Sequence, residues 1–211
     1  MKTIYLVRHS IPYKNISYKN SSLDDYTKNI LIPLSSEGEK IAKKITDKYF
    51  SNNINHLYSS EYSRAINTAK YIAEANNIAI NIFSNFNERK LGNTKNIKED
   101  FWLKQLKNED IKTPNGESQK EVRDRMLKGI KIVLNSMIDN ESAVIISHAT
   151  AITFLLMNWC ELIDASLEDK KRHLKYKNKT IVNDSFKTPE IFKLTFTSKN
   201  KIIEIIRIKN K

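Results

Sequence analysis

Four short apolar runs constrain this chain more than anything else in it. They are residues 3–7 (TIYLV), 56–59 (HLYS), 78–83 (IAINIF) and 143–147 (AVIIS). Each is too short for a helix and reads as a strand, and residues 3–7 and 143–147 read as strands buried on both faces. Stretches with helical spacing lie between them. A helix capped by Ser35 or Ser36 carries Ile41, Ala42, Ile45 and Tyr49 on one side. Residues 61–76 place Ala65, Thr68, Ala69, Ile72 and Ala73 on one face, and residues 117–138 and 150–159 read as further helices. Strands alternating with helices pack as helices on both faces of a mainly parallel sheet. The expectation is an α/β protein, a three-layer αβα sandwich. Two late runs, 191–197 and 201–208, flank a turn at Ser198, Lys199 and Asn200, which predicts an antiparallel C-terminal hairpin at a sheet edge.

Two segments break this rhythm. Residues 10–34 are polar and irregular, with Pro12 and Pro33 as breakers, and loops that long are often functional. Residues 84–115 hold NERKLGN, an amphipathic piece around Phe101, Trp102, Leu103 and Leu106, and the turn TPNGES. They read as a lid insertion within a single domain spanning 1–211. With 40% hydrophobic residues the chain can fill a core without staples, and its one cysteine, Cys160, cannot form an internal disulfide. Cys160 follows an apolar helix and is expected in the core. The apolar run at residues 4–7 is too short for a signal peptide or a membrane span, so a cytoplasmic protein is expected.

The net charge of +12 is unevenly placed. Residues 170–211 hold 13 basic and 3 acidic groups, whereas residues 1–169 are nearly balanced. Only seven of the 36 basic residues are arginine, the side chain that reads nucleic acids best. Nucleic-acid binding is therefore unlikely, and a pull on small anions is the modest reading. A binder that uses the basic C-terminal region is the less favoured alternative.

In folds of this type ligands sit beyond the carboxyl ends of the strands. Arg8 and His9 follow the first run, Arg64 follows the second, Glu88 the third and His148 the fourth. Alone, each has a plain explanation. His9 or His148 could be a satisfied core histidine, Arg64 could pair with Glu61 along its helix, and Glu88 could be a solvated loop charge. Together they suit phosphoryl transfer. Guanidiniums fork onto phosphoryl oxygens, and the helix start after His148 offers backbone N–H groups. One imidazole can be the nucleophile while the other holds charge, and the carboxyl can deliver a proton. Fixed cations do the neutralising, so no metal and no cofactor are called for. His56 and His173 lack this setting and read as structural or solvated.

At these residues the chain resembles the histidine phosphatase superfamily, the phosphoglycerate mutase-like proteins. YLVRHS is similar to its RHG signature. PLSSEGEKIAKKI, LYSSEYSRAINTAKYIA, FNERKLGN, PNGESQKEVRDRM and VIISHATAITFLL resemble its later elements, in order, over about residues 1–160. The resemblance implies that His9 is the phosphorylated nucleophile and that Arg8, Arg64 and His148 hold the phosphoryl group. It implies that Glu88 is the proton donor, and later the base for water. It also points to Asn15 and the backbone N–H of Ala149 as phosphate contacts, and to a structural role for Arg125.

Four positions depart from the family pattern. Ser10 stands where the family has glycine, Ile11 and Pro12 replace an acidic residue and a threonine, and Ala149 replaces another glycine. Ser10 could bring its hydroxyl to phosphate. The segment after Glu88 is shorter than in the mutases. The expectation is thus a metal-independent phosphatase acting on small phosphorylated metabolites. Mutase-type phosphoryl transfer is the alternative, and Lys90, Lys95, Lys98, Phe101 and Trp102 are candidate specificity residues.

Overall fold

The computed structural model describes residues 1–209 apart from Asn20, Thr94 and Asn96. Thr94 and Asn96 belong to the expected lid, and that part of it lies outside the described residues.

The chain begins with strand β1 (Lys2–Arg8), then helix α1 (Asp25–Ile30) and helix α2 (Ser36–Tyr49). Strand β2 (His56–Ser59), helix α3 (Ser63–Asn76) and strand β3 (Ile80–Ile82) follow. After a 3₁₀ turn at Ser84–Phe86 come α4 (Phe101–Lys107), α5 (Gln119–Ser136), strand β4 (Ser142–Ser147) and α6 (Ala149–Leu156). Five strands complete the chain: β5 (Glu161–Ala165), β6 (Arg172–Tyr176), β7 (Lys179–Asp184), β8 (Glu190–Phe196) and β9 (Ile202–Ile208).

The main sheet has the order β3-β2-β4-β1-β8-β9. The first three pairings are parallel, and β1–β8 and β8–β9 are antiparallel. The C-terminal hairpin thus forms one edge, as its turn residues predict. Strand alternation sends each central strand's side chains into two cores. Ile4, Leu6, Ala143 and Ile145 join the core beneath α5 and α6, while Val7, Leu57, Val144 and Ile146 join the core beneath α2 and α3. That two-sided burial is why residues 4–7 of β1 and 143–146 of β4 are apolar at every position instead of at every second one.

Capping sets the helix starts. Ser35 Oγ accepts from the N–H of Gly38, and Ser118 with Glu121 forms a reciprocal capping box at α5. Asp24 caps the short α1, inside the segment whose composition reads as irregular. Helix α4 is fixed to the body. Leu106 joins the larger core, and buried Gln105 donates to the carbonyls of Ile111 and Glu117.

Residues 160–190 are the region least announced by the sequence. They form a separate antiparallel sheet, β5-β6-β7. Register shifts at Leu162/Asp164 and Leu174/Lys175 interrupt the alternation that would have signalled strands. Arg207 on β9 ties this sheet to the main one, donating to Asp184 at 2.5 Å and to both carboxylate oxygens of Glu190 at 2.7–2.8 Å. Among the described residues no helix is long and apolar enough to cross a membrane.

Candidate active site

Because β1, β2 and β4 run parallel and adjacent, their carboxyl ends lie along one edge of the sheet. The ladder extends one residue past the strands there. The His9 N–H donates to Ser147 O at 3.0 Å and the Ser60 N–H donates to Ile146 O at 3.1 Å. His9, Ser60 and His148 therefore leave the sheet side by side, held by backbone.

The side chains then find one another. Ring centroids of His9 and His148 are 5.0 Å apart. Arg64, from the first turn of α3, reaches between them. Its Nε donates to His9 Nε2 at 3.2 Å, and its Nη2 lies 3.4 Å from His148 Nδ1. Its Nη1 donates to the carbonyl and side-chain oxygens of Asn29 on α1, at 2.7 and 3.2 Å. Arg64 does not pair with Glu61. That carboxylate instead accepts from Asn87, and the pair locks the loop after β3 onto the start of α3.

These contacts define the protonation state of both imidazoles. His9 Nδ1 lies 2.7 Å from Ser10 O. A carbonyl only accepts, so Nδ1 carries the proton and Nε2 keeps its lone pair toward Arg64. An arginine only donates, so His148 accepts at Nδ1 and donates from Nε2 to Ser60 Oγ, 2.8 Å away. Burial, and then nearby positive charge, holds both histidines well below the usual pKa. Arg64 lowers His9, and the neighbouring His9 and Arg64 lower His148.

Arg8 ends β1 with Nη1 on the carbonyls of Phe186 and Lys187, both at 2.8 Å, and its Nε is buried without a partner. Glu88 sits on the N-terminus of α6. Its carboxylate accepts from the N–H of Ala151 at 3.0 Å, of Thr150 at 3.3 Å and of Arg89 at 2.9 Å. Two of the helix-start donors expected for phosphate are thus occupied. The Ala149 N–H has no acceptor among the described residues. Arg125 braces the Glu88 loop from behind, donating to the carbonyls of Asn85, Asn87 and Glu88 and to both oxygens of Glu117. That is a structural position, and it also engages Glu117.

Ser10 is fully buried, and its hydroxyl donates to Gly38 O at 2.7 Å while its N–H donates to Thr68 Oγ1. The hydroxyl is engaged with the start of α2. The same packing explains Gly38, where a Cβ would come within 2.1 Å of Ile11 O. Asn15 is exposed, with no hydrogen bond to the cluster among the described residues. His56 pairs with Glu141 at 2.8 Å near the opposite end of the sheet, and His173 touches Thr180 on the small sheet. Burial pushes the Cys160 thiol up to about 12, so it is no nucleophile.

A cleft of about 620 Å³ opens beside Glu88. Arg8, Arg89, Ala149 and Thr150 line it together with Trp102 and Arg172. Trp102 thus faces the cleft, whereas Phe101 and Lys98 line a separate groove and Lys90 lies over Tyr26. Asn29, Ser60 and Arg172 had no sequence signal as site residues. Asn29 and Ser60 touch the cluster, and Arg172 lines the cleft beside it, through contacts with elements far away along the chain.

Comparison with known proteins agrees with this geometry. The pattern of the histidine phosphatase superfamily (branch 1) matches residues 4–183. "Probable phosphoglycerate mutase GpmB" of Salmonella choleraesuis is 28% identical over 165 residues, covering 74% of each chain. A mycobacterial glucosyl-3-phosphoglycerate phosphatase in complex with inorganic phosphate superposes with TM-score 0.67 at 15% identity, over 99% of this chain and 96% of that one. A phosphoserine phosphatase mutant from Entamoeba histolytica, in complex with phosphoserine, gives 0.63 at 16% identity, over 97% and 96%. The structural likenesses speak for the fold alone. With the pattern running from inside β1 to the end of β7, the chain belongs to the histidine phosphatase superfamily.

Proposed function

We infer that the protein is a phosphatase of small phosphomonoesters that works through a phosphohistidine on His9. The observation that carries this reading is the state of His9: neutral, with its proton on Nδ1 and its Nε2 lone pair beside Arg64. An imidazole in that state is a ready nucleophile.

In the reaction, Nε2 attacks phosphorus as the bond to the alcohol oxygen breaks. Arg8 and Arg64 bind the equatorial oxygens, for which a guanidinium fork is well shaped. Arg64 exchanges its contacts with the imidazoles for contacts with the substrate. The phosphoryl dianion reverses the field that keeps His148 neutral, so His148 takes up a proton at Nδ1 and donates it in a hydrogen bond to the phosphoryl group. The free N–H of Ala149 adds a donor at the start of α6. Glu88, beside the cleft, receives a proton that the substrate brings as its monoanion, passes it to the departing alkoxide and then takes one from the attacking water. Water returns the phosphoryl group to solution and His9 to its first state. Metal chemistry is not needed, because the charge is met by fixed cations.

Transfer of the phosphoryl group to a second alcohol, as in a mutase, is the second reading, favoured by relatives named for that activity. One experiment addresses both. The purified protein is reacted with a labelled phosphomonoester, quenched in base and tested for an acid-labile phosphoprotein. In a parallel sample that is not quenched, the labelled protein meets water alone or water with 3-phosphoglycerate. Loss of label to inorganic phosphate in both cases, undiminished by excess chelator, is the expected result. Label on the added acid instead would make the protein a mutase, and absence of any phosphoprotein would sink both readings.

A further inference from the structure

We propose that Arg172 binds a second anionic group on the leaving-group side of the substrate, so that the protein selects phosphomonoesters whose alcohol carries a carboxylate or another phosphate. This rests on the phosphatase reading above and names the substrate class of the same site.

The seven arginines divide into two sets. Arg123, Arg125 and Arg207 each pair with a carboxylate, respectively Glu109, Glu117, and Asp184 with Glu190. Arg8, Arg64, Arg89 and Arg172 have no carboxylate at ion-pair distance among the described residues. All four lie at the catalytic cluster or line the cleft. Arg8 and Arg64 have an anion to meet in the phosphoryl group. Arg172 is only 5% exposed, and nothing in the mechanism uses it.

A buried, unpaired cation is costly, and folded chains keep few of them without a counterion. Arg172 donates from Nη1 to Thr153 Oγ1 at 2.7 Å and from Nη2 to Lys170 O at 3.0 Å. Both acceptors are neutral, and its Nε is buried with no partner. Its guanidinium lies 4.3 Å from the Phe186 ring and 5.4 Å from the Trp102 ring. Thr153, Lys170 and the two rings hold the charge in place before any ligand arrives. Burial and the positive charge of Arg8 push its pKa down to about 10.

The cleft itself identifies the part of the substrate involved. Glu88 lines it, while His9, Arg64 and His148 do not. The group that receives the Glu88 proton is the departing alcohol, so the cleft is its place. Glu99 and Asp169 also line the cleft, but both are exposed to solvent, which screens them. An acidic group on the alcohol is what this buried cation recognises, and a carboxylate or a phosphate has the oxygens for it.

Matched pairs of substrates test this. One pair is 3-phosphoglycerate against glycerol 3-phosphate, and the other is fructose 1,6-bisphosphate against fructose 6-phosphate. The wild type should prefer the anionic member of at least one pair, and the pair that responds distinguishes carboxylate from phosphate. Arg172→Met should lower the anionic-over-neutral ratio of kcat/KM by about 10- to 100-fold, the size of a charged hydrogen bond. Arg172→Lys should lower it less, because the charge survives while the fork is lost. Wild type with no preference in either pair overturns the proposal without recourse to a variant, as do equal losses on both members. Hydrolysis of p-nitrophenyl phosphate by the wild type, with the phosphoprotein trapped, is scored separately. Its absence would defeat the phosphatase reading, whereas its presence with a flat ratio defeats only the role of Arg172.

Discussion

The two walls of the cleft are built on different plans. The inner wall comes from the parallel strand ends, where Arg8, Glu88 and Ala149 line the cleft in front of the cluster in which His9, Arg64 and His148 partner one another. The outer wall comes from the small antiparallel sheet and the segment after it, and there Arg172 has no carboxylate at ion-pair distance among the described residues. The inner wall is a closed electrostatic unit that a phosphoryl group has to enter and rearrange. The outer wall is the surface proposed above to select the leaving group. Chemistry and selectivity are thus housed in elements of different origin, joined through the Arg207 network with Asp184 and Glu190.

The contrast is broken most directly at His9. His9→Ala should lower phosphatase activity by more than ~10³-fold and abolish the trapped phosphoprotein, with circular dichroism and unfolding still cooperative. A variant that keeps several per cent of the rate would mean that the inner wall only binds.

Glu88 stands where the two walls meet. Glu88→Gln should slow single-turnover phosphorylation by an alkyl phosphate on the order of 10²-fold, and by a nitrophenyl phosphate much less. The alkoxide needs a proton to leave, and the phenolate does not. Equal slowing of both esters would show that Glu88 acts by clamping the start of α6, where its carboxylate accepts from Thr150 and Ala151.

The inner wall should also be visible in stability. His9 and His148 are held neutral with depressed pKa values, so the unfolded chain binds protons near pH 6.5 that the folded one refuses. Stability is then unaffected above about pH 7.5 and falls as the pH drops below 6.5, by up to about 1.4 kcal/mol per pH unit for each histidine. Denaturant titrations between pH 7.5 and 5.5 read the slope. His9→Gln should remove about half of it, and a flat wild-type profile would place the protons elsewhere.

The smallest effect is expected on the exposed basic surface of the small sheet. Lys177 and Lys179 are solvated, and Lys177 sits in the turn between β6 and β7. Lys177→Gln with Lys179→Gln should leave kcat/KM within about twofold, because exposed charges are screened. Tight, steeply salt-dependent RNA binding by the wild type, lost in this variant, would revive a binding role for the basic C-terminal region.

Much of the inner wall is legible in one dimension. Arg8, His9, Arg64 and His148 each follow an apolar run that can only be a buried strand, and parallel strands bring their ends to one edge. Glu88 is legible for the same reason, after the run at 78–83. Ser10 shows the limit of that reading. Its place beside His9 is plain in the sequence, but its hydroxyl turns to Gly38 because α2 packs there. The small sheet is illegible because its bulges break the period of two, and Asn15 remains in solvent where the motif suggested a ligand.

The sequence by itself determined the alternation of strand and helix, the edge on which the chemistry collects, and the family. The first two follow from periodicity and local order, which act between near neighbours, and the family follows from the motifs the chain resembles. Tertiary structure alone decided which nitrogen of each imidazole is free, that Asn29 holds Arg64, and that Arg172 enters the cleft without a counterion. These depend on distances between side chains dozens of residues apart, in a low-dielectric interior where hydrogen-bond partners and charge neighbours fix each proton.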